Sequence, residues 1–575
     1  MPAIGAPPVA RRFVPADLDC ADWSQGEPLY QELLGREVSS VTDLRRWLED
    51  FAELDAAFDE FGSRRFIEHS CHTDDVEIKK HYLHWVEVIE PRIKPLYFEL
   101  QQKLLASPFL AELEAQDRKY VLLARQWRAD VEIFRPANVP LETEVTKLVT
   151  KYEELCGDMT VVINGEELTL QQAARFLEEP DRAVRQSAWE GREARRFKDR
   201  EAVDALFDQV VKTRHQIATN AGLPSFTALI WKEYKRFDYT PEQCAQFADA
   251  IERTVVPLAA ALDRQHQADM KLPALRPWDT LVDPHGRPPL RPYARDDTDA
   301  LVSRSRTIFD HLSPALGEEF DSLRVNGDLD LASRKGKQPG GYQCSLEESR
   351  RPFIFMNAAG LHDDVVTLLH EGGHAFHMLA ARDELLFTRN APIEFCEVAS
   401  MAMELLGADH FGAFYADPAD VARAQRHQLQ RAIRLLPWVA TIDQFQHWLY
   451  ANPGHTRDDR TAAWLSTWGR FAPPLDWTGL EAYRANWWQR QPHLFGSPLY
   501  YVEYGIAQLG ALQLWVKSRH DTHRAIANYR AALKLGGTRP LPELFAAAGI
   551  VFDFSEKTLR PLMDAVGEEL ERLPR

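Results

Sequence analysis

The sequence predicts a mainly helical protein, and three observations support that fold class. Apolar residues recur at three- and four-residue steps, with charges between them, in segments 41–61, 81–105, 142–156 and 170–197. Successive segments of this kind predict an N-terminal half built from long antiparallel helices. Patterns typical of strands are rare, and no internal repeat is visible.

The remaining elements follow in chain order. Residues 158–170 alternate around Asn164-Gly165, which predicts a short hairpin. A second helical block is expected over about 202–270, and the prolines of 272–297 then forbid regular helix and indicate an extended connector. Phe353 to Met356 predict a short strand, and the chain beyond it again has the pattern of helices and loops.

Composition excludes several classes of protein. With 575 residues, 45% of them hydrophobic, the chain can bury a large core, and its net charge of -18 disfavours nucleic acid as a partner. The six cysteines contain no C-x-x-C pair, which argues against a disulfide framework. Neither a signal peptide nor an apolar stretch of membrane-spanning length is visible. We therefore expect a cytoplasmic protein without membrane segments.

The motif that carries chemistry is His370-Glu371-x-x-His374 within an apolar, helix-compatible pattern. Two histidines at i and i+4 project from one helix face and can bind one metal ion. Zinc acidifies the attacking water, and Glu371 would take its proton as general base. Gly372 and Gly373 lie mid-helix at a cost of roughly 2 kcal/mol against alanine, so we expect a backbone or a substrate to approach closely there.

A catalytic zinc site needs a third protein ligand. His377 lies too far along the helix to share one ion with His370 and is interpreted as a supporting or structural residue. Position 380, where a metzincin has its third histidine, is Ala380.

The next helix offers better candidates for that ligand. Glu397 and Glu404 are seven residues apart in an apolar segment, so one could bind the metal while the other supports the site. Glu394 is offset round that helix and is expected at the rim of the site or facing the substrate.

These residues resemble a known family. The motif His-Glu-Gly-Gly-His-Ala-Phe-His followed by residues 394–406, together with segments 336–369 and 492–515, is similar to the M3 metallopeptidases, the family of thimet oligopeptidase and oligoendopeptidase F. The resemblance covers most of residues 335–515. It implies a two-lobed helical shell around a deep active-site channel, with a small β-sheet next to the zinc-binding helix.

The resemblance also assigns roles to residues. It makes His370, His374 and Glu397 the ligands of one Zn²⁺ ion and Glu371 the general base. It implies that His493, Tyr501 and Tyr504 bind the substrate carbonyl and the oxyanion, with Tyr500 as a competitor. It further implies that residues 352–357 form an edge strand that pairs with an extended peptide.

The sequence thus predicts a zinc-dependent oligoendopeptidase that hydrolyses internal bonds of short unstructured peptides. Residues 1–190 are expected to form an N-terminal helical part of the shell, and residues 191–575 the peptidase domain. The alternatives are a dipeptidyl carboxypeptidase, another metallocarboxypeptidase such as the carboxypeptidase Taq group, or a non-catalytic peptide-binding protein. The expected partners are short peptides, without nucleic acid or membrane, and an acidic channel would favour cationic peptides.

Overall fold

The computed structural model describes residues 11–575, and its N-terminal part is helical as predicted. Segment 41–61 lies within one long helix, which begins where the Ser40 side chain accepts a hydrogen bond from the Asp43 amide. The N-terminal helices are α1 (Trp23–Gly35), α2 (Val41–Cys71), α3 (Val76–His84), α4 (Glu90–Leu105), α5 (Leu110–Gln116), α6 (Arg118–Ile133) and α7 (Val139–Gly157).

The predicted hairpin is confirmed. Strands β1 (Thr160–Ile163) and β2 (Glu166–Thr169) pair antiparallel, and Asn164 and Gly165 turn between them with positive φ angles of 54° and 83°. The predicted helical segment 170–197 is divided near Pro180, because proline interrupts the hydrogen bonds of a helix. The helices that follow are α8 (Leu170–Ala173), α9 (Arg182–Lys198), α10 (Arg200–Asn220), α11 (Phe226–Glu233) and α12 (Pro241–Asp269). The domain boundary predicted at residue 190 falls inside α9 and stays a prediction.

A small sheet precedes the motif helix, and it contains more strands than the sequence indicated. After the irregular connector come α13 (Thr298–Leu312) and α14 (Pro314–Asn326), then β3 (Leu329–Ala332), β4 (Tyr342–Leu346) and β5 (Arg351–Ala358). The strand order is β3-β5-β4, with β5 parallel to β3 and antiparallel to β4. Strand β5, which contains residues 352–357, is therefore central, and the prediction that it is an edge strand was wrong.

The reason lies in the side chains of β5. Residues Pro352 to Met356 are all buried, as is typical of a strand covered on both faces and paired on both edges. Strand β4 is the edge strand instead, and its residues are only partly buried apart from Leu346.

The C-terminal part is again helical. Its helices are α15 (His362–Ala381), α16 (Ile393–Gly407), α17 (Pro418–Ala451), α18 (Arg457–Phe471), α19 (Glu481–Ala485), α20 (His493–Gly496), α21 (Tyr501–Ser518), α22 (Thr522–Leu533), α23 (Leu541–Ala547) and α24 (Glu556–Arg572).

Two large hydrophobic cores give the molecule two lobes. One core gathers apolar side chains of the N-terminal helices α1, α2, α4, α5 and α6, and the other gathers those of α12 to α17, β5 and α21 to α24. A cavity of about 830 Å³ lies between α2, α3 and α7 on one side and β4, α15, α16 and α21 on the other. The two-lobed helical shell around a channel is thus confirmed.

All six cysteines are free, as expected from their spacing. Among the described residues, no helix combines the length and apolar character that crossing a membrane requires.

Candidate metal centre and active site

His370, His374 and Glu397 form a compact cluster at the floor of the cavity. The Oε2 atom of Glu397 lies 3.4 Å from Nε2 of His370 and 3.5 Å from Nε2 of His374. Three donors bound tetrahedrally to one zinc ion at 2.0–2.2 Å would be separated by about 3.4 Å. Within residues 11–575 this is the group of side chains whose donor atoms could hold a metal ion. The residues present therefore fit one zinc ion.

Two glycines explain how the helices α15 and α16 come so close. A Cβ atom on Gly373 would lie 2.4 Å from the backbone oxygen of Ala399 in α16, and one on Gly372 would lie 2.7 Å from the Phe309 ring. The predicted close approach at these glycines is therefore made by the neighbouring helix and by a core side chain. This contact brings Glu397 on α16 to the histidines of α15.

A second layer of hydrogen bonds holds the metal-binding side chains. Glu404, one candidate for the third ligand, instead accepts from Nδ1 of His370 at 2.7 Å, and Gln428 donates to its other oxygen at 3.0 Å. Ser400 donates to Oε2 of Glu397 at 2.9 Å, and Tyr500 donates to Oε1 at 2.5 Å. Of the two glutamates, Glu397 therefore belongs to the cluster that could hold a metal ion, and Glu404 is bonded to His370 from outside it.

The electrostatics of the cluster favour a cation. Burial acts to lower the pKa of His370, but its hydrogen bonds to Glu397 and Glu404 outweigh burial and raise that pKa well above its ordinary value. Burial acts to raise the pKa of Glu397, but the neighbouring His374 and His370 hold it well below its ordinary value. The carboxylates therefore stay charged and attract positive charge to this position.

Glu371 follows His370 in the motif and faces the same cavity. Its side chain is buried, its Oε2 has no hydrogen-bond partner in the described part of the chain, and burial raises its pKa. Gly341, just before β4, leaves room beside it, since a Cβ there would lie 3.4 Å from Oε1 of Glu371. A raised pKa and a free oxygen are what a general base requires.

His493 and Tyr504 line the cavity on the side of α20 and α21. The amide nitrogen of Gln491 donates to Nδ1 of His493 at 2.7 Å, which leaves the proton of the neutral ring on Nε2. That Nε2 lies 3.2 Å from the Tyr504 hydroxyl. Burial lowers the pKa of His493 to about 4 and raises that of Tyr504 well above its ordinary value. Both groups are therefore neutral hydrogen-bond donors at pH 7.

Tyr501 does not line this cavity, unlike Tyr500 and Tyr504. Its hydroxyl lies 3.1 Å from Oε1 of Gln491, to which it donates, and 3.3 Å from the indole nitrogen of Trp438. The expectation that Tyr501 contacts the reacting carbonyl is not supported by this geometry, because the first residue of α21 points away from the metal ligands. Its contacts orient the Gln491 amide toward His493.

The structure also places His377 and Glu394, two further residues considered from the sequence. His377 lies on the next turns of α15 and is 5% exposed, with its ring 6.0 Å from that of Phe395. It lines the cavity, and its Nε2 has no hydrogen-bond partner in the described part of the chain, so its supporting or structural role stays a prediction. Glu394 was expected at the rim and is instead 2% exposed, 3.9 Å from the guanidinium of Arg236. This face of α16 packs against Arg236, in the loop before α12, and Glu394 does not line the cavity.

Gln491 and Gln428 are functional candidates that the sequence alone did not suggest. Neither belongs to a recognisable motif, and both come from elements distant in the chain from the His370 helix. The packing of α17 against α16 brings the amide of Gln428 to Glu404. Gln491 contacts His493 locally, two residues away in the chain, but only the tertiary structure brings this pair to the cavity that holds the His370 cluster.

Comparison with known proteins identifies the family. The model of peptidase family M3 matches residues 175–285 and 318–564, and the model of the peptidase M3 N-terminal domain matches residues 13–134.

Curated relatives include the oligoendopeptidase F homologs of Borreliella burgdorferi, 24% identical over 242 residues, and of Mycoplasma pneumoniae, 21% identical over 333 residues. The matches span 40% and 52% of those relatives and 40% and 54% of this chain, so the chain matches about half of their length.

Solved structures agree over nearly the full length. A structure of PZ peptidase A with an inhibitor has a TM-score of 0.92 at 28% identity and covers 98% of this chain and 99% of its own. A structure of oligoendopeptidase F has a TM-score of 0.91 at 29% identity with the same coverage, and one from Bacillus anthracis has 0.87 at 26%. With the family model matched over more than half of its residues, this chain belongs to peptidase family M3.

Proposed function

We propose that the protein is a zinc-dependent oligoendopeptidase that hydrolyses internal bonds of short, unstructured peptides. The observation that carries the proposal is the cluster of His370, His374 and Glu397 at zinc-binding distances, with the unpartnered carboxylate of Glu371 beside it. A bound zinc ion supplies a Lewis acid that polarises the scissile carbonyl and acidifies the attacking water.

The proton transfers fall to Glu371. Its free Oε2 takes a proton from the attacking water, and its raised pKa then suits it to return that proton to the leaving amine. Because the carboxyl is buried, water outside the cavity does not compete for this proton.

Negative charge develops on the carbonyl oxygen during attack. Tyr504 and His493 are neutral donors on the cavity wall and are held to each other at 3.2 Å, so they are preorganised to stabilise that charge. Tyr500 donates to Oε1 of Glu397, and we assign it to holding the metal ligand. Tyr501 keeps a positioning role through Gln491.

The shape of the cavity supports short peptides as substrates. Both lobes wall the space of about 830 Å³, which admits an extended chain but not a folded domain. Edge strand β4 lines it and offers backbone groups for pairing with a peptide.

A carboxypeptidase needs a free positive group that binds the terminal carboxylate of its substrate. Within residues 11–575, one arginine, Arg389, lines this cavity. Arg389 donates to Glu347 at 2.8 Å and is already paired, so it is not free to bind a terminal carboxylate, and an endopeptidase is favoured. The six free cysteines agree with the proposed cytoplasmic location, where thiols stay reduced.

The test is Glu371→Gln, compared with wild type in zinc content and in cleavage of quenched fluorescent peptides. We expect retained zinc and a rate about 10²–10⁴-fold lower. A fully active variant would remove Glu371 as the base. Peptides blocked at both ends separate the alternatives, because only an endopeptidase cleaves them internally, and intact casein cut as fast as a ten-residue peptide would contradict the size restriction.

A further inference from the structure

Helix α9 carries two buried arginines in contrasting surroundings. Arg185 is 1% exposed and donates to the backbone oxygens of Trp278, Glu179 and Pro180 and to the Asp279 carboxylate, at 2.9–3.0 Å. Arg192, seven residues later on nearly the same face, is 6% exposed. Within residues 11–575 it donates no hydrogen bond, and its buried Nε has no partner.

Arg192 belongs to a cluster of positive charges. Arg196 lies one turn further along α9, and Arg490 ends the short turn Trp487–Arg490. Each is held only loosely by Glu193, at 4.0 Å from Arg196 and 3.8 Å from Arg490. Neither guanidinium donates a hydrogen bond in the described part of the chain, so three arginines, each with five N–H donors, face one carboxylate.

The mutual repulsion of these positive charges has an unfavourable electrostatic free energy unless a further anion is bound. Burial, together with the charges of Arg196 and Arg490, lowers the pKa of Arg192 to about 9. Burial also lowers the pKa of Arg490, against the opposing effect of Glu193. A buried cation such as Arg192 is strongly unfavourable without a counter-charge, because water can satisfy its hydrogen bonds but cannot balance its charge. The side chains of Arg196 and Arg490 are 24% and 30% exposed, so they also contact solvent.

A small cavity lies at this cluster. Its volume is about 30 Å³, and its lining includes Glu193, Arg196, Trp487 and Arg490. Arg192 does not line it and acts on this space through its charge, which is coupled to the charges of Arg196 and Arg490. A cavity of this size holds one or two particles as large as a water molecule. A chloride ion, slightly larger than water, fits that space, whereas a phosphate with four oxygens does not.

We propose that Arg196 and Arg490, with the positive charge of Arg192 close by, form a binding site for a monatomic anion, chloride under ordinary conditions. The ion accepts hydrogen bonds from the guanidinium groups of Arg196 and Arg490 and supplies negative charge that also balances Arg192. It links α9 to the turn Trp487–Arg490, whose Trp487 ring already stacks on Trp189 at a centroid distance of 5.8 Å. Because His493 follows Arg490 by three residues, the ion stabilises the segment that leads into the catalytic cavity.

The direct test is a crystal of the full chain grown or soaked in sodium bromide, whose anomalous signal marks halide positions. We expect a bromide peak in the cavity between Arg196 and Arg490. No peak there at saturating bromide would overturn the proposal, and this measurement needs no variant.

Thermal unfolding gives the solution test. At constant ionic strength, replacing sodium gluconate with sodium chloride or bromide is expected to raise Tm saturably by about 1–2 °C. Arg490→Gln should lose this response, whereas the matched control Arg195→Gln, on the same helix but paired with Asp199, should keep it. A wild-type protein that responds equally to all anions, or only to phosphate or acetate, would contradict a monatomic-anion site.

Discussion

The candidate metal centre and the arginine cluster have opposite charge imbalance. At the metal centre, the carboxylates of Glu371, Glu397 and Glu404 surround two histidines, and Arg431 is the nearest arginine, 3.9 Å from Glu404. At the arginine cluster, the guanidinium groups of Arg196 and Arg490 lie 4.0 and 3.8 Å from the carboxylate of Glu193, and Arg192 adds a third positive charge. The first site has an excess of negative charge and suits a cation, and the second has an excess of positive charge and suits an anion.

The two sites also differ in how far their side chains are held in place. Around the metal position, Glu404, Ser400 and Tyr500 fix the ligands through hydrogen bonds of 2.5–2.9 Å. The arginines of the cluster have no such hydrogen-bond partners among residues 11–575. An excess of charge of one sign indicates that a site binds a ligand of the opposite charge. A surrounding network of hydrogen bonds indicates, in addition, that the position of that ligand matters for chemistry.

The largest expected effect comes from removing a metal ligand. Glu397→Ala should bind zinc so weakly that activity falls more than about 10³-fold, because two histidines alone do not make a catalytic zinc site. Zinc content after dialysis and peptide cleavage measure this. The chloride dependence of Tm should survive in Glu397→Ala, while Arg490→Gln should keep its zinc. If either variant lost both its zinc and the chloride dependence of its Tm, the two sites would not be independent.

The second-largest effect distinguishes the role of Tyr504 from that of the neighbouring Tyr501. Tyr504→Phe removes a donor from the cavity wall and should lower kcat about 10²–10³-fold with little change in KM. Tyr501→Phe is the matched control: Trp438 still contacts Gln491, so we expect only a few-fold loss. Equal losses in kcat for both variants would show that Tyr504 does not act on the transition state.

A smaller effect is expected from the hydrogen bond behind the metal position. Glu404→Gln should weaken zinc affinity about 10–100-fold, because His370 loses the carboxylate that orients its ring. Competition with a chromophoric chelator measures the affinity directly. Glu112→Gln, on the surface of α5, should leave it unchanged. An unaltered affinity in Glu404→Gln would mean that packing alone orients His370.

The smallest expected effect concerns substrate charge. Asp55, Asp59 and Glu233 line further cavities of about 370 and 610 Å³ that share residues with the main cavity. Burial, with the nearby Glu347 and Glu60, raises the pKa of Asp59 to about 7. Below that pH the group is neutral, and above it the group is an anion that attracts cationic peptides.

The ratio of kcat/KM for a lysine-containing peptide to that for a neutral analogue should therefore rise about two- to five-fold from pH 6 to pH 8. Asp59→Asn should flatten this profile, and Glu112→Gln should not. A ratio independent of pH in the wild type would exclude Asp59 as a determinant of charge preference.

Much of this protein was determined locally by its sequence. The helical period predicted the fold class, Asn164-Gly165 predicted the hairpin, and the spacing of His370, Glu371 and His374 predicted residues that the structure brings together, because each depends on backbone geometry over a few residues. Glu397 and Glu404 were both identifiable as carboxylates in an apolar helix, but their spacing could not decide which one faces the metal.

The tertiary structure decided what depends on distant segments. The pairing of β5 with both β3 and β4 made it central, the direction of α21 turned Tyr501 toward Gln491 and Tyr504 toward the cavity, and α16 buried Glu394 beside Arg236. Arg192 looks like any surface arginine of an amphipathic helix until α9 packs against Trp487–Arg490. Burial and charge balance are set by neighbours far along the chain, and no local pattern records them.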